Sequence, residues 1–209
     1  MKLTIFGATG GVGANLTAQA LADGHKVRAV TRNPDSIRQS TENLEKFTGD
    51  VLNPASVKSA LHGADAVFCA LGMPLLNRDG LRTEGTRNII DAMNQTGVSR
   101  LICLSGLGAG DSRAILPTLL RYVLRPTLMR HLYKDHEAQE KLVMQSGLNW
   151  TLARPGSFID GSHTGQYRHG FVTAEPGLRY KISRQDVADF MLAQLTSDTY
   201  AHRAANLSY

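Results

Sequence analysis

Short apolar runs and helical stripes alternate along the chain. The runs Lys2–Phe6, Lys26–Val30, Leu44–Thr48, Ala66–Leu71, Arg100–Leu104 and Trp150–Ala153 read as strands. Between them the apolar residues recur at helical spacing, first over Val12–Asp23. Asn53-Pro54 supplies an N-cap with proline at the first helical position, Val57, Ala60 and Leu61 form the inward stripe, and Gly63 ends the helix. A helix from about Gly85 to Gln95 turns Ile89, Ile90 and Met93 inward and stops at Gly97. Ser183-x-x-Asp186 reads as a capping box ahead of Val187, Phe190, Met191 and Leu195 on one face, which makes Asp186 a structural residue. Asn206–Tyr209 is expected to add an edge strand. Apolar strands separated by amphipathic helices call for a parallel sheet covered on both faces, so the predicted fold is α/β in three layers. No repeat, low-complexity tract or linker divides it, and residues 1–209 are read as a single domain.

One connection carries chemistry. After the first strand comes Gly7-Ala8-Thr9-Gly10-Gly11-Val12-Gly13, which runs directly into the first helix. Gly7 permits a sharp turn off the strand, Gly10 lets backbone approach a ligand without an intervening Cβ, and Gly13 lets the helix pack close to the strand. The unpaired N–H groups and positive dipole end at the helix start then face an anion. Strand, glycine turn and helix in that order form a dinucleotide site in a Rossmann-type, doubly wound parallel sheet. The spacing G-x-x-G-x-x-G is one residue longer than that of most dehydrogenases.

The second strand ends Val30-Thr31-Arg32, where sites for the unphosphorylated dinucleotide place an acid against the ribose 2′-hydroxyl. The first carboxylate, Asp35, lies beyond Pro34. Arg32 is therefore the candidate clamp for the 2′-phosphate of NADP(H), with Thr31 and Asn33 as further donors. Past the third strand, Asp50 is placed either to accept from the adenine amino group or to close a turn.

Composition narrows the partners. The 209 residues are 42% hydrophobic and 20% charged, with a formal net charge of +5, which suits acidic ligands. Only 6% are aromatic and no basic run is interleaved with aromatics, so nucleic acid is not expected. Cys69 and Cys103 lie in apolar runs without metal-ligand spacing, so they are read as a buried, reduced pair and no metal is expected. No apolar run approaches the ~18 residues of a membrane span, and Met1-Lys2 leads straight into a strand, so a cytoplasmic protein is expected, monomeric or a small homo-oligomer. Arg113, Arg121, Arg125, Arg130 and Lys134 fall in a stretch without a carboxylate. They form either a solvated basic face or a receptor for acidic substituents, and Pro117 and Pro126 break the stretch into an irregular lid or short helices.

The glycine turn, the strand-end V-T-R-N-P, T-E-G-T-R-N-I-I-D-A-M (83–93), S-G-L-N-W-T-L-A-R-P-G (146–156) and I-S-R-Q-D-V-A-D-F-M-L (182–192) together resemble the atypical short-chain dehydrogenase/reductases. Within them the chain looks most like the biliverdin-IXβ reductase and NADPH-dependent flavin reductase group, NAD(P)-binding relatives of NmrA-like proteins, and the likeness runs over essentially the whole chain. The resemblance implies that Gly7, Thr9, Gly10 and Val12, with Gly11 in the same turn, wrap the pyrophosphate, and that Arg32 takes the 2′-phosphate. It places Asp50 and Val51 beside the adenine and Leu71 and Gly72 beside its ribose. Cys103 and Ser105 would line the nicotinamide side, with Pro155 and the backbone of Ser157 and Phe158 bordering it. The crevice for substrate would be built from loops 72–82, 105–134 and 154–170.

The tyrosine and lysine of the usual short-chain dyad are absent: those positions hold Leu132 and His136, and Tyr133-Lys134 has the wrong spacing to put both groups on one helix face. Ser105 either orients the nicotinamide amide or the substrate, or caps its own turn. His136 either bonds the nicotinamide ribose and donates a proton, or is an ordinary helical histidine. Ser157 stands where flavin- and biliverdin-reducing relatives tend to carry histidine. Without a strong proton donor, hydride is best passed to a conjugated acceptor such as a flavin, tetrapyrrole (biliverdin) or quinone. The expected function is thus an NADPH-dependent reductase. The alternatives are a non-catalytic NADP(H) redox sensor and an enzyme resembling nucleotide-sugar epimerases or dehydratases.

Overall fold

The computed structural model describes residues 1–72 and 80–209, so most of the predicted crevice loop 72–82 lies outside the described residues. The strands are β1 (Lys2–Phe6), β2 (Lys26–Thr31), β3 (Leu44–Thr48), β4 (Ala66–Cys69), β5 (Arg100–Leu104), β6 (Asn149–Pro155), β7 (Ser157–Ile159), β8 (Arg168–His169), β9 (Lys181–Ser183) and β10 (Arg203–Ser208). The helices are α1 (Gly11–Ala22), α2 (Pro54–Ala60), α3 (Leu81–Thr96), α4 (Arg130–Met144) and α5 (Arg184–Ala193). One sheet runs β3-β2-β1-β4-β5-β6-β10-β8, parallel except for the antiparallel β10–β8 pair, while β7 and β9 form a small separate parallel pair.

Alternate residues of each strand feed the two faces of this sheet. Leu3, Ile5, Val27, Phe68, Ile102 and Leu207 pack beneath α1 and α5. Phe6, Val30, Val67, Leu101 and Leu152 pack beneath α2, α3 and the end of α4. A third, smaller cluster of Leu107, Ile115, Leu116, Tyr133 and Phe171 lies under the segment that carries the arginine run. That segment is irregular as expected, with a 3-10 turn at Gly110–Ile115 and a π turn at Leu120–Leu124.

Several expectations are corrected. The C-terminal strand is not at the edge: β10 lies between β6 and β8, pairing Ala205 with Ala153 and Leu207 with Pro155. The reason is that both of its faces are covered, with Ala205 and Leu207 buried on the α1/α5 side and Asn206 and Ser208 buried on the other, and such a strand belongs inside a sheet. The fourth strand stops at Cys69, because Ala70 and Leu71 leave it to pass over the glycine turn. α3 starts earlier than expected, at Leu81, after Gly80 in the left-handed region (φ 63°). Asn53 caps α2 as predicted, accepting from Ala55 and Ser56 N–H. The capping box at α5 is half made: Ser183 Oγ accepts from Asp186 N–H at 3.0 Å, but the Asp186 carboxylate turns to Thr164, Gly165 and Tyr209.

Candidate active site

Because the core strands are parallel, the glycine turn after β1, Arg32 after β2, Asp50 after β3, Leu71 after β4 and Ser105 after β5 all emerge on one edge of the sheet. That carboxyl edge, where connections diverge to opposite faces, is where open parallel sheets hold ligands. β1 is the switch strand, with β2 on one side and β4 on the other.

The glycine turn is shaped by two close approaches. Gly7 adopts φ +81°, and a Cβ there would stand 2.4 Å from the Ala70 carbonyl oxygen. A Cβ on Gly13 would stand 2.1 Å from the Gly7 carbonyl oxygen, so only glycine lets α1 approach β1 this closely. Gly10 is the N-cap of α1 and supplies no side-chain acceptor, and no acidic residue occupies the first turn. The first-turn N–H groups are therefore left for an external anion.

Beside this turn is a cleft of about 380 Å³, lined by Gly7, Thr9, Gly10, Arg32, Asp50, Val51, Leu71 and Gly72 among others. Of the predicted residues it thus gathers those assigned to the adenosine half together with Gly7, Thr9 and Gly10 of the diphosphate turn. Its floor is held by α3: Asn88 Nδ2 donates to the Val51 carbonyl at 2.9 Å, and Gly85 lies against the Val51 and Leu71 side chains. Asp50 plays its turn role, accepting from Leu52 N–H through Oδ1 at 2.9 Å, and its other oxygen has no partner among the described residues. Thr31 and Asn33 also line the cleft: the Thr31 hydroxyl donates to the Asn33 carbonyl at 3.3 Å and accepts from Asn33 N–H, while Asn33 Oδ1 accepts from Asp35 N–H and its amide NH2 has no partner among the described residues. Among the described residues no carboxylate comes within salt-bridge range of Arg32, so its charge is available to an anion in the cleft.

Gly11, Val12, Cys103, Ser105, His136, Pro155, Ser157 and Phe158 lie outside that cleft. Ser105 and His136 come together with two residues that the sequence did not single out. Ser105 Oγ donates to Glu140 Oε1 at 2.6 Å, and His136 Nδ1 lies 3.4 Å from the same hydroxyl. Arg154 donates to both Glu140 oxygens, Nε at 2.8 Å and Nη2 at 2.7 Å, and its Nη1 reaches Asp111 at 2.5 Å. Arg154 and Glu140 are each about 2% exposed, so the bidentate geometry offsets the desolvation of both charges. Glu140 falls one helical turn after His136 on α4, and Arg154 sits near the end of β6, which is how the fold aims both at Ser105.

Two predicted roles are corrected here. His136 is buried, and that burial, reinforced by the Arg82 charge and opposed by a hydrogen bond with Gln139, pushes its pKa down to about 3. It is therefore neutral at neutral pH and is no ready proton donor. The Cys103 side chain does not line the crevice, because it is fully buried on the α2/α3 face, beside Cys69 across the β4–β5 register. Both thiols are free. Within the basic segment, Arg125 is already engaged by the Gly108 carbonyl, the Glu137 carboxylate and the Tyr133 ring.

Residues 7–198 match the family described as NAD(P)H-binding, and the chain belongs to that family. A reductase of Streptomyces griseus that acts on (4-alkanoyl-5-oxo-2,5-dihydrofuran-3-yl)methyl phosphate is 27% identical over 99% of this chain and 67% of its own length. ChuY from Escherichia coli O157:H7, described as an anaerobillin reductase, is 25% identical, with a TM-score of 0.81 over 99% of this chain and 96% of that one. A solved protein of Burkholderia pseudomallei is 27% identical, with a TM-score of 0.82 over the full length of both chains. An uncharacterized protein of Mycobacterium tuberculosis is 34% identical over 50% of this chain, a match that spans 12% of that relative's length. The glycine cradle, the uncapped helix start and the available Arg32 fit a NAD(P)H cofactor, and no helix among the described residues is long and apolar enough to cross a membrane.

Proposed function

We propose that the protein is an NADPH-dependent reductase that passes hydride to a flavin or another conjugated acceptor, such as a tetrapyrrole or quinone. The observation that carries this reading is the condition of the groups around Ser105. The serine hydroxyl is committed as a donor to Glu140, Glu140 is balanced by Arg154, and His136 is neutral. None of these four is set to protonate a carbonyl oxygen as hydride arrives, as ketone reduction requires. A conjugated acceptor has no such need, because charge spreads over its ring system and solvent supplies the proton.

The bound nicotinamide supplies the hydride, and the chain supplies position. Gly7, Thr9, Gly10, Gly11 and Val12 hold the diphosphate, Arg32 selects the 2′-phosphate, and Asp50, Val51, Leu71 and Gly72 enclose the adenosine. Ser105, its proton turned toward Glu140, presents lone pairs to the nicotinamide amide, while Pro155, Ser157 and Phe158 border the ring. The acceptor enters over loops 105–134 and 154–170. The relatives named as reductases support this reading. The test is loss of NADPH absorbance in the presence of FMN, riboflavin, biliverdin or a quinone. Turnover on at least one acceptor is expected, with Ser105→Ala lowering kcat. The internally satisfied Ser105–Glu140–Arg154 group favours a second reading, a non-catalytic NADP(H) sensor. Tight NADPH binding with no turnover on any acceptor would establish that second reading instead.

A further inference from the structure

Gly11 is not one of the three glycines that the G-x-x-G-x-x-G turn requires, yet the space a side chain would take there is filled by another residue. A Cβ at Gly11 would stand 2.5 Å from Cδ and 2.6 Å from Nε of Arg184. The Arg184 side chain therefore lies across the first turn of α1, at the end where the unpaired N–H groups converge. Arg184 is itself the first residue of α5, directly after the Ser183 N-cap.

This is an unfavourable place for a cation. The starts of α1 and α5 both carry the positive ends of helix dipoles, and arginine adds a full charge between them. The first turn of α1 has no acidic residue, and Asp186 in the first turn of α5 is spent on Thr164, Gly165 and Tyr209. The carboxylate paired with Arg184 is Asp160, at 2.6 Å, whose side chain is fully exposed. Such an exposed pair is weak and yields to a stronger anion. The guanidinium also lies over the Phe158 ring, 5.3 Å from its centroid, and keeps about a third of its surface open to solvent.

We propose that Arg184 is a ligand of the cofactor diphosphate, lying beside the first turn of α1 with its guanidinium over the Phe158 ring and exchanging the exposed Asp160 carboxylate for the phosphates. The inference rests on the dinucleotide lying along that turn, and it adds a contact that acts on NADPH and NADH alike. In this it differs from Arg32, which meets only the 2′-phosphate.

Calorimetry with NADPH, NADH and adenosine 2′-monophosphate separates the two arginines. Arg184→Ala is expected to weaken NADPH and NADH by one common factor, about ten- to a hundredfold for a lost charge-assisted contact, and to leave adenosine 2′-monophosphate unchanged. Arg184→Lys should recover part of the loss, and Gly11→Ala, which displaces the arginine without removing it, should weaken both dinucleotides. Arg32→Ala should do the reverse of Arg184→Ala, weakening NADPH and the monophosphate while sparing NADH. The proposal is overturned if Arg184→Ala binds NADPH within twofold of wild type, or if it weakens the monophosphate as much as NADPH. Failure of the underlying cofactor reading gives a distinct result, since the unaltered protein would then bind neither dinucleotide, and the role of Arg184 would fall with it.

Discussion

At His136 the structure makes a pH prediction whose sign can be worked out. An unperturbed imidazole titrates near ~6.5, while burial and the Arg82 charge bring this one down to about 3. Between those values the unfolded chain binds a proton that the folded chain refuses, so stability falls as pH is lowered from about 6.5 toward 3. His136→Gln should flatten this part of a plot of Tm against pH. The same variant should leave the pH dependence of kcat unchanged, and a limb of the kcat profile near neutral pH that vanishes with the substitution would make His136 a proton donor after all. Residues whose meaning depends on a strand end were legible, which is why Gly7, Arg32 and Ser105 could be singled out from their distance to an apolar run. Arg154 also follows an apolar run, but Glu140 is one of several charged residues on its helix, and the pairing of the two across 14 positions becomes visible only when α4 is laid against β6.

Within elements, local signals were reliable and long-range partners were not. The Ser183 cap of α5 follows from spacing alone, and it forms. Asp186 then departs from the box because the chain at 164–165 comes within reach, accepting from Thr164 N–H, Gly165 N–H, the Thr164 hydroxyl and the Tyr209 hydroxyl. Burial alone would raise its pKa, but the Tyr209 and Thr164–Gly165 donors outweigh this and lower it to about 2. A carboxyl depressed in the folded state contributes stability above its unfolded value of about 4, and that contribution is lost as pH falls toward 2. Asp186→Asn should therefore lower Tm at neutral pH, and the gap from wild type should narrow as pH drops through that window. A gap that stays constant down to pH ~2 would mean that packing, not the carboxylate charge, holds the 161–166 loop to α5.

At the scale of the whole molecule, the last strand has consequences that its short apolar pattern hid. Its residues look like an edge strand because Asn206 and Ser208 interrupt the apolar Ala204, Ala205 and Leu207. The polar ones are nonetheless covered: Asn206 Nδ2 donates to the Phe171 carbonyl at 2.7 Å, and Ser208 Oγ donates to the Tyr209 carbonyl at 2.8 Å. Five register pairs join β10 to β6, and Tyr209 beyond it bonds both Asp186 and the Ser183 N–H. Removing residues 203–209 would thus expose one side of β6, leave the β8 segment without its partner, and release the α5 cap region that packs against α1. Because one hydrophobic layer joins these parts, the loss should not stay local. The truncated chain is expected to lose its cooperative urea transition and near-UV signal, whereas Arg168→Ala on the two-residue β8 should shift the midpoint only slightly. If the truncated chain unfolds in one transition with a near-native m-value, β10 is an appendage to the fold and not part of its core.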